Sequence, residues 1–366
     1  MISDVRVLCI SDIHVGHNRT KTEHILNNLR QSLFDSGILK TIQLLLFAGD
    51  FFDSLMTYPS NDARRTNEWI AELLMHCEKN GVIVRILEGT PSHDWKQSRH
   101  FIDIAAYVDS KVDIKYMEEV SVEYIPSLDT TVLYVPDEVN DDASKTQVQV
   151  ASLLQSMGLK SVDIACMHGV FRYQLPVHSI AAHNEDFYES IVNEVIFIGH
   201  HHKHTRRGKI FAQGSFDRLC HGEESPKGFG VYTRENGKGK VEFIENPNAK
   251  IYKTLDLRTI EVGDVIPYLG NQVKNFVEGS NFRMLVTAES AVKSVVKEIR
   301  DEFPQFRWEL HREDAAEKES PLRVDQEDIP KPIAITSDNI NRLLLERLDL
   351  NKEELELFEV LMRRVA

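Results

Sequence analysis

The hydrophobic positions of the chain fall into two kinds of run, and the two alternate. Short stretches rich in β-branched and aliphatic residues, at 5–10, 42–48, 82–87, 162–167 and 195–198, read as buried strands. Between the first three lie segments of helical period. Ile25, Leu26, Leu29 and Leu33 share one face, and Trp69, Ile70, Leu73, Leu74 and Cys77 share another. Thr20 or Thr22 is placed to cap the first helix and Gly37 to end it, while Gly81 ends the second. Strand, helix, strand, helix, strand predicts a parallel sheet. Helices are also expected over 98–109 and 143–157, antiparallel strands over 112–135, and further strands at 209–212, 228–233, 240–245 and 250–257.

The pattern changes near residue 258. A strand at 282–287, a helix over 290–302 with Val292, Val295, Val296 and Ile299 inward, and a strand at 306–310 form a small β-α-β module. Residues 313–332 are charged, contain proline and lack an apolar period, as a linker does. Two amphipathic helices follow, one marked by Ile340, Leu343, Leu344 and Leu348 and one by Leu355, Phe358 and Met362. The expected division is 1–257, a main domain; 258–313, a small capping domain; 314–336, a linker; and 337–366, a helical segment. Two short helices rarely persist alone in water, so the last segment is expected to dock on a partner.

The polar residues that interrupt the strands repeat one theme. Asp12 and His14 follow the first strand, where residues i and i+2 of an extended backbone project to one side. Asp50 follows the second, His93 and Asp94 the third, His168 the run at 162–167, and His200 and His202 the run at 195–198. Open α/β sheets bind ligands beyond the carboxyl ends of their strands. Taken singly, each feature also fits a turn, a core histidine or a solvated loop. Their recurrence at successive strand ends points to a metal centre. Mixed His/Asp ligation suits Mn, Fe or Zn, and two ions sharing a carboxylate suit phosphoester hydrolysis. A histidine outside the ligand set then serves as the acid for the leaving alkoxide.

Composition narrows the setting. The 366 residues carry a net charge of -14, which argues against binding polyanions by bulk charge. Basic residues lie near the expected rim, and the resemblance described next would make Arg64, Arg65, Lys96, Arg99, Arg206 and Arg207 candidate DNA contacts and Trp95 a candidate base-stacking surface. The four cysteines are scattered, with Cys9 and Cys166 inside strand-like runs. No leader peptide and no membrane-length apolar run are read, so a reducing cytoplasm is expected.

With these residues in view, the chain resembles the calcineurin-like metallophosphoesterases. Their motifs D-x-H, G-D-x-x-D, G-N-H-D/E, H and G-H-x-H match Asp12-Ile-His14, Gly49-Asp-Phe-Phe-Asp53, Gly89-Thr-Pro-Ser-His-Asp94, His168 and Gly199-His-His-His202. Within them it is similar to SbcD-type DNA repair nucleases, through His14-Val-Gly16, Gly214-Ser215, Arg218 and the stretch from Glu223 to Phe229. Asp53 stands where archaeal and eukaryotic members have histidine, which places the chain nearer the bacterial and phage branch. The resemblance implies a four-layer α/β/β/α sandwich with an α+β cap and C-terminal helices.

It also implies two divalent ions, foremost Mn, with Mg, Fe or Zn as alternatives. Asp12, His14 and His202 would hold one ion, Asp50 would bridge, and His168 and His200 would hold the other. His93 would be the leaving-group acid, oriented by Asp94. Ser92 replaces the family's asparagine ligand, with Thr90 and Pro91 inserted after Gly89. The implied activity is Mn-dependent exonuclease or endonuclease action on DNA. The implied partners are an SbcC-like ATPase, held through 337–366, and a second nuclease subunit. A phosphoesterase for nucleotides or phosphoproteins, and an inactive scaffold, remain as rival readings.

Overall fold

A computed structural model describes residues 4–177, 179–287 and 289–312. Its first elements are β1 (Val5–Ile10), α1 (Thr22–Leu29), β2 (Leu44–Ala48), α2 (Asn61–Asn80) and β3 (Ile83–Leu87). Ser60 caps α2, its hydroxyl accepting from the Ala63 N–H at 3.1 Å, and Gly81 closes it in the left-handed region. A single turn, α3 (Pro91–Asp94), and α4 (His100–Tyr107) lead to β4 (Ile114–Met117). Then come β5 (Ser121–Ile125), β6 (Thr130–Val135), α5 (Ala143–Ser156), β7 (Val162–Gly169), α6 (Glu185–Ile191) and β8 (Val192–His200). Short strands β9 (Thr205–Arg207) and β10 (Ile210–Ala212) precede a hairpin of β11 (Gly228–Glu235) and β12 (Lys238–Glu245). The last described elements are β13 (Tyr252–Asp256), α7 (Val265–Val273), β14 (Asn281–Val286), α8 (Val296–Glu302) and β15 (Arg307–Arg312).

Two six-stranded sheets result, ordered β12-β11-β1-β2-β3-β4 and β5-β6-β7-β8-β10-β9. Alternation along β1 sorts the layers. Val7 and Cys9 point into the layer between the sheets, where they join Leu46, Tyr134, Cys166 and Phe197. Leu8 and Ile10 point the other way, into a core closed by Leu29 of α1 and Trp69 of α2. On the far face of the second sheet, Leu133, Ala165 and Ile196 pack with Val150 of α5 and Tyr188 of α6. The chain therefore has the expected α/β/β/α architecture. Charged side chains also enter the layer between the sheets, Arg85 and Arg234 among them. Arg85 of β3 makes a two-pronged pair with Glu123 of β5, at 2.7 and 2.8 Å.

Three expectations change. Residues 112–135 are not one antiparallel set: β4 joins the first sheet parallel to β3, and the chain crosses to the second sheet before the β5–β6 hairpin. This makes β6 a parallel neighbour of β7, so its carboxyl end reaches the same edge as the others. Residues 252–256, assigned from sequence to the main domain, instead form β13 and pair with β14 in a third, three-stranded parallel sheet. Helices α6 and α7 have no counterpart in the sequence reading. The linker from 314 and the helical segment 337–366 lie outside the described residues. Among those described, no helix is long and apolar enough to cross a membrane.

Candidate metal centre

The carboxyl ends of six parallel strands, β1, β2 and β3 from one sheet and β6, β7 and β8 from the other, meet along one edge. Their loops are tightly bent. Asp12, His14, Asp50 and His200 all have positive φ, at 50°, 54°, 51° and 94°. Such a backbone costs about 1–3 kcal/mol per non-glycine residue and persists only where surrounding bonds enforce it. Those bonds are present: the Asp12 N–H donates to the Gly49 carbonyl and the His14 N–H to the Asp50 carbonyl, both at 3.1 Å. The expectation that Asp12 and His14 meet through strand alternation is therefore corrected. β1 has ended at Ile10, and a turn brings the two side chains together. Close approach also dictates Gly89, where a Cβ would lie 2.1 Å from the Asp50 nitrogen.

Three groups of ligand-type atoms result: Asp12, His14 and His202; Asp50, His168 and His200; and His14, Asp53 and His93. The histidines are turned by fixed partners. His168 Nδ1 sits 2.6 Å from the Ala48 carbonyl, which leaves Nε2 facing Asp50 Oδ2 at 3.3 Å. His202 Nδ1 lies 2.6 Å from Glu223 Oε1, which leaves its Nε2 facing Nε2 of His14 at 3.1 Å. Two imidazole nitrogens at that distance need a proton or a metal cation between them. Nδ1 of His14 is buried and makes no hydrogen bond, although Asp53 Oδ1 is 3.2 Å away. This acceptor-rich, donor-poor arrangement fits divalent cations.

The charges agree. Burial pushes the Asp50 carboxyl up, but His168 and His14 and the Thr90 N–H outweigh it and hold it well below the usual range. Burial works against protonated His168, yet the carboxylate of Asp50 raises it well above its ordinary value. Without metal the centre is compensated by protons on histidines, and binding a cation would displace them.

Two expected roles move. Asp94 does not touch His93. Its buried carboxylate accepts from the backbone N–H groups of Asp50, Phe52 and Gly89 at 3.1, 2.9 and 2.9 Å, tying two strand-end loops together. His93 is instead oriented by the Asp53 carbonyl, 2.8 Å from its Nδ1. Ser92 is exposed, and its carbonyl accepts the Trp95 indole N–H at 2.8 Å. Thr90, directly after Gly89, reaches the cluster in its place, with Oγ1 3.1 Å from Asp50 Oδ2.

Sequence reasoning missed Asp137, which follows β6 and lies 3.1 Å from His200 Nδ1. The strand-end rule would have found it had β6 been read as part of the parallel set. It also gave Glu223 no role. Of the proposed DNA contacts, Arg64, Arg65, Lys96 and Arg207 are each paired with a carboxylate, on Glu68, Glu23, Glu118 and Glu185 respectively. Arg99 and Arg206 are exposed.

The calcineurin-like phosphoesterase family model matches residues 5–227, which include every strand end described above. The chain belongs to that family and is a metal-dependent phosphoesterase. Among solved structures it is similar to TT1561 of Thermus thermophilus, at 10% identity and a TM-score of 0.38, over 66% of this chain and 99% of that one. A second solved structure has 14% identity and a TM-score of 0.39 over the same shares. Among curated proteins none matches.

Proposed function

We propose that the chain is a nuclease of the SbcD type, hydrolysing DNA phosphodiesters with two divalent ions, foremost Mn. Asp12, His14 and His202 would hold one ion, and His168 and His200 the other, with Asp50 shared. When bound, the ions supply Lewis-acid activation of the phosphate and of the attacking water. His93, held through Nδ1 by the Asp53 carbonyl and 4.9 Å ring to ring from His14, would pass a proton to the departing sugar oxygen.

The observation that carries the polynucleotide reading is a set of cations beside this centre. Arg19, on the loop that follows His14, joins Lys21 and Arg307 in lining a hollow of about 400 Å³. Lys21 and Arg307 also line an adjoining one of about 570 Å³ with Lys250. Among the described residues no carboxylate pairs with any of the four, in a chain of net charge -14 where most rim cations are paired. Burial and the neighbouring Arg307 and Lys21 push the Lys250 ammonium down to about 8. A pair of hollows in which these cations outnumber the lining carboxylates, Glu309 and Glu278, suits a phosphate backbone.

The test uses labelled single- and double-stranded DNA with Mn. Cleavage should disappear in EDTA. Arg19→Ala/Lys21→Ala/Arg307→Ala should weaken DNA binding and flatten its log–log salt slope by about 2–3, while hydrolysis of a small phosphodiester is unchanged. Efficient turnover of nucleotides or phosphopeptides with no DNA cleavage would favour the other phosphoesterase reading and end this one. The partner proposals follow from the same reading. Deleting 337–366 should abolish co-purification with an SbcC-like ATPase, and sedimentation should show a homodimer.

A further inference from the structure

One hydroxyl oxygen has four ligand-type atoms around it, two carboxylate oxygens and two imidazole nitrogens. Thr90 Oγ1 lies 3.1 Å from Asp50 Oδ2, 3.1 Å from Asp137 Oδ2, 3.2 Å from His200 Nδ1 and 3.4 Å from His168 Nε2. A hydroxyl has one proton to donate. It cannot satisfy two carboxylate oxygens and two imidazole nitrogens together. His168 Nε2 has no proton of its own to offer when Nδ1 carries it to the Ala48 carbonyl. With the histidines neutral, as metal ligands are, the same point faces four acceptor atoms, each fixed by a different strand end.

Asp137 is built into this arrangement. It follows β6, whose parallel pairing with β7 brings it to the edge that carries His168. Its carboxylate is mostly buried, at 11% exposure, while the adjacent Glu138 is exposed. His200 turns Nδ1, not Nε2, toward Asp137 and Thr90, so both face the point that His168 and Asp50 face.

We infer that Asp137 is a direct ligand of the second divalent ion, completing with Asp50, His168 and His200 a site of two carboxylates and two imidazoles. Thr90 then helps to hold the carboxylates in place, its backbone N–H donating to Asp50 Oδ1 at 2.6 Å and its hydroxyl donating to Asp50 or to Asp137, one at a time. A second carboxylate makes the site harder than one built on a neutral ligand, which favours Mn over softer ions. This inference rests on the two-ion reading above.

The test is Mn titration of the metal-free full chain by calorimetry, with electron paramagnetic resonance of the loaded protein. The native chain should bind two ions and show an exchange-coupled pair. Asp137→Ala should bind one, with an uncoupled spectrum, and Glu138→Ala should bind two. Thermal unfolding of the metal-free variants shows that the fold is kept, and Asp137→Asn supplies a milder variant of the same shape. If Asp137→Ala still bound two ions, with the weaker step reduced by no more than the roughly 10–100-fold typical of a group that only orients a ligand, Asp137 would be a positioning residue for His200 and the inference would fail. A native chain that bound a single ion would instead overturn the two-ion reading itself.

Discussion

Glu223→Gln separates two jobs that one carboxylate performs. Oε1 takes the Nδ1–H of His202 at 2.6 Å, and Oε2 accepts the Leu219 N–H at 3.0 Å and faces Lys227 Nζ at 3.2 Å. Lys227 is almost wholly buried, at 1% exposure, and also donates to the His202 carbonyl and Ser215 Oγ. Burial raises the Glu223 carboxyl, but His202 and Lys227 prevail and hold it at about 2 against an ordinary 4.5. That difference corresponds to about 3 kcal/mol of stability at neutral pH. Removing one partner of a buried ion pair costs about 3–5 kcal/mol, so the two routes agree. The sign follows from a depressed carboxyl: the contribution is complete above pH 4.5 and is lost as pH falls toward 2. Urea unfolding of the metal-free protein should show Glu223→Gln less stable by about 3 kcal/mol at pH 7, with the gap closing as the native protein is acidified to about pH 2. Glu223→Gln/Lys227→Met should recover most of the loss. In the metal-loaded protein the same variant should weaken the ion held by His202 about 10–100-fold. Unchanged unfolding midpoint and unchanged Mn affinity would together refute the claim that Glu223 both orients His202 and neutralises Lys227.

Three further outcomes are expected. If His93 is the proposed acid, His93→Ala should keep its metal content by elemental analysis while phosphodiester turnover falls by about 10²–10⁴, since its Nδ1 is already engaged by the Asp53 carbonyl. Gly89→Ala should lose both stability and metal binding, seen in thermal unfolding and calorimetry, because its Cβ would fall 2.3 Å from Asp50 Oδ1 and 2.1 Å from Asp50 N. Glu123→Ala should destabilise by about 3 kcal/mol in urea, the low end of the usual range because Asp113 Oδ1 stays 2.9 Å from the Arg85 guanidinium, and Arg85→Met/Glu123→Leu should restore much of it.

The parts of this molecule that repeat along the chain are legible in the amino-acid sequence. Apolar runs of strand length, separated by helical period, place β1, α1, β2, α2 and β3 close to where they lie, and polar residues at the strand ends mark Asp12, His14, Asp50, His168, His200 and His202. What escapes depends on contacts that have no period. The crossing from β4 to β5 is a choice between two sheets, made by pairing far along the chain, and with it goes the position of Asp137. The loop after Gly89 is equally opaque, because α3 begins at Pro91 and carries Ser92 outward, leaving Thr90 inside. Cations are legible as residues but not as charges. Arg65 and Glu23 are far apart in sequence, and only the fold shows that they meet.

That last point bears on how the centre and its rim divide their work. Asp12, Asp50, Asp53 and Asp137 bring four carboxylates to the strand ends, a cluster of formal negative charge that would repel a phosphodiester. Two divalent ions, as proposed, would cancel that charge formally and leave no surplus to draw in a strand from a distance. On that reading long-range attraction would come from outside the ligand set, and Arg19, Lys21, Lys250 and Arg307 are among the described cations that have no carboxylate partner there. Screening distinguishes the two. Ligand atoms packed around a buried ion are little affected by salt, whereas attraction across an open hollow fades over a Debye length of about 10 Å at 0.1 M. Raising ionic strength should therefore raise KM for DNA with little change in kcat, and ligand variants should do the reverse. On the proposed reading the residues for chemistry and those for capture are different, so each set can be removed while the other is measured.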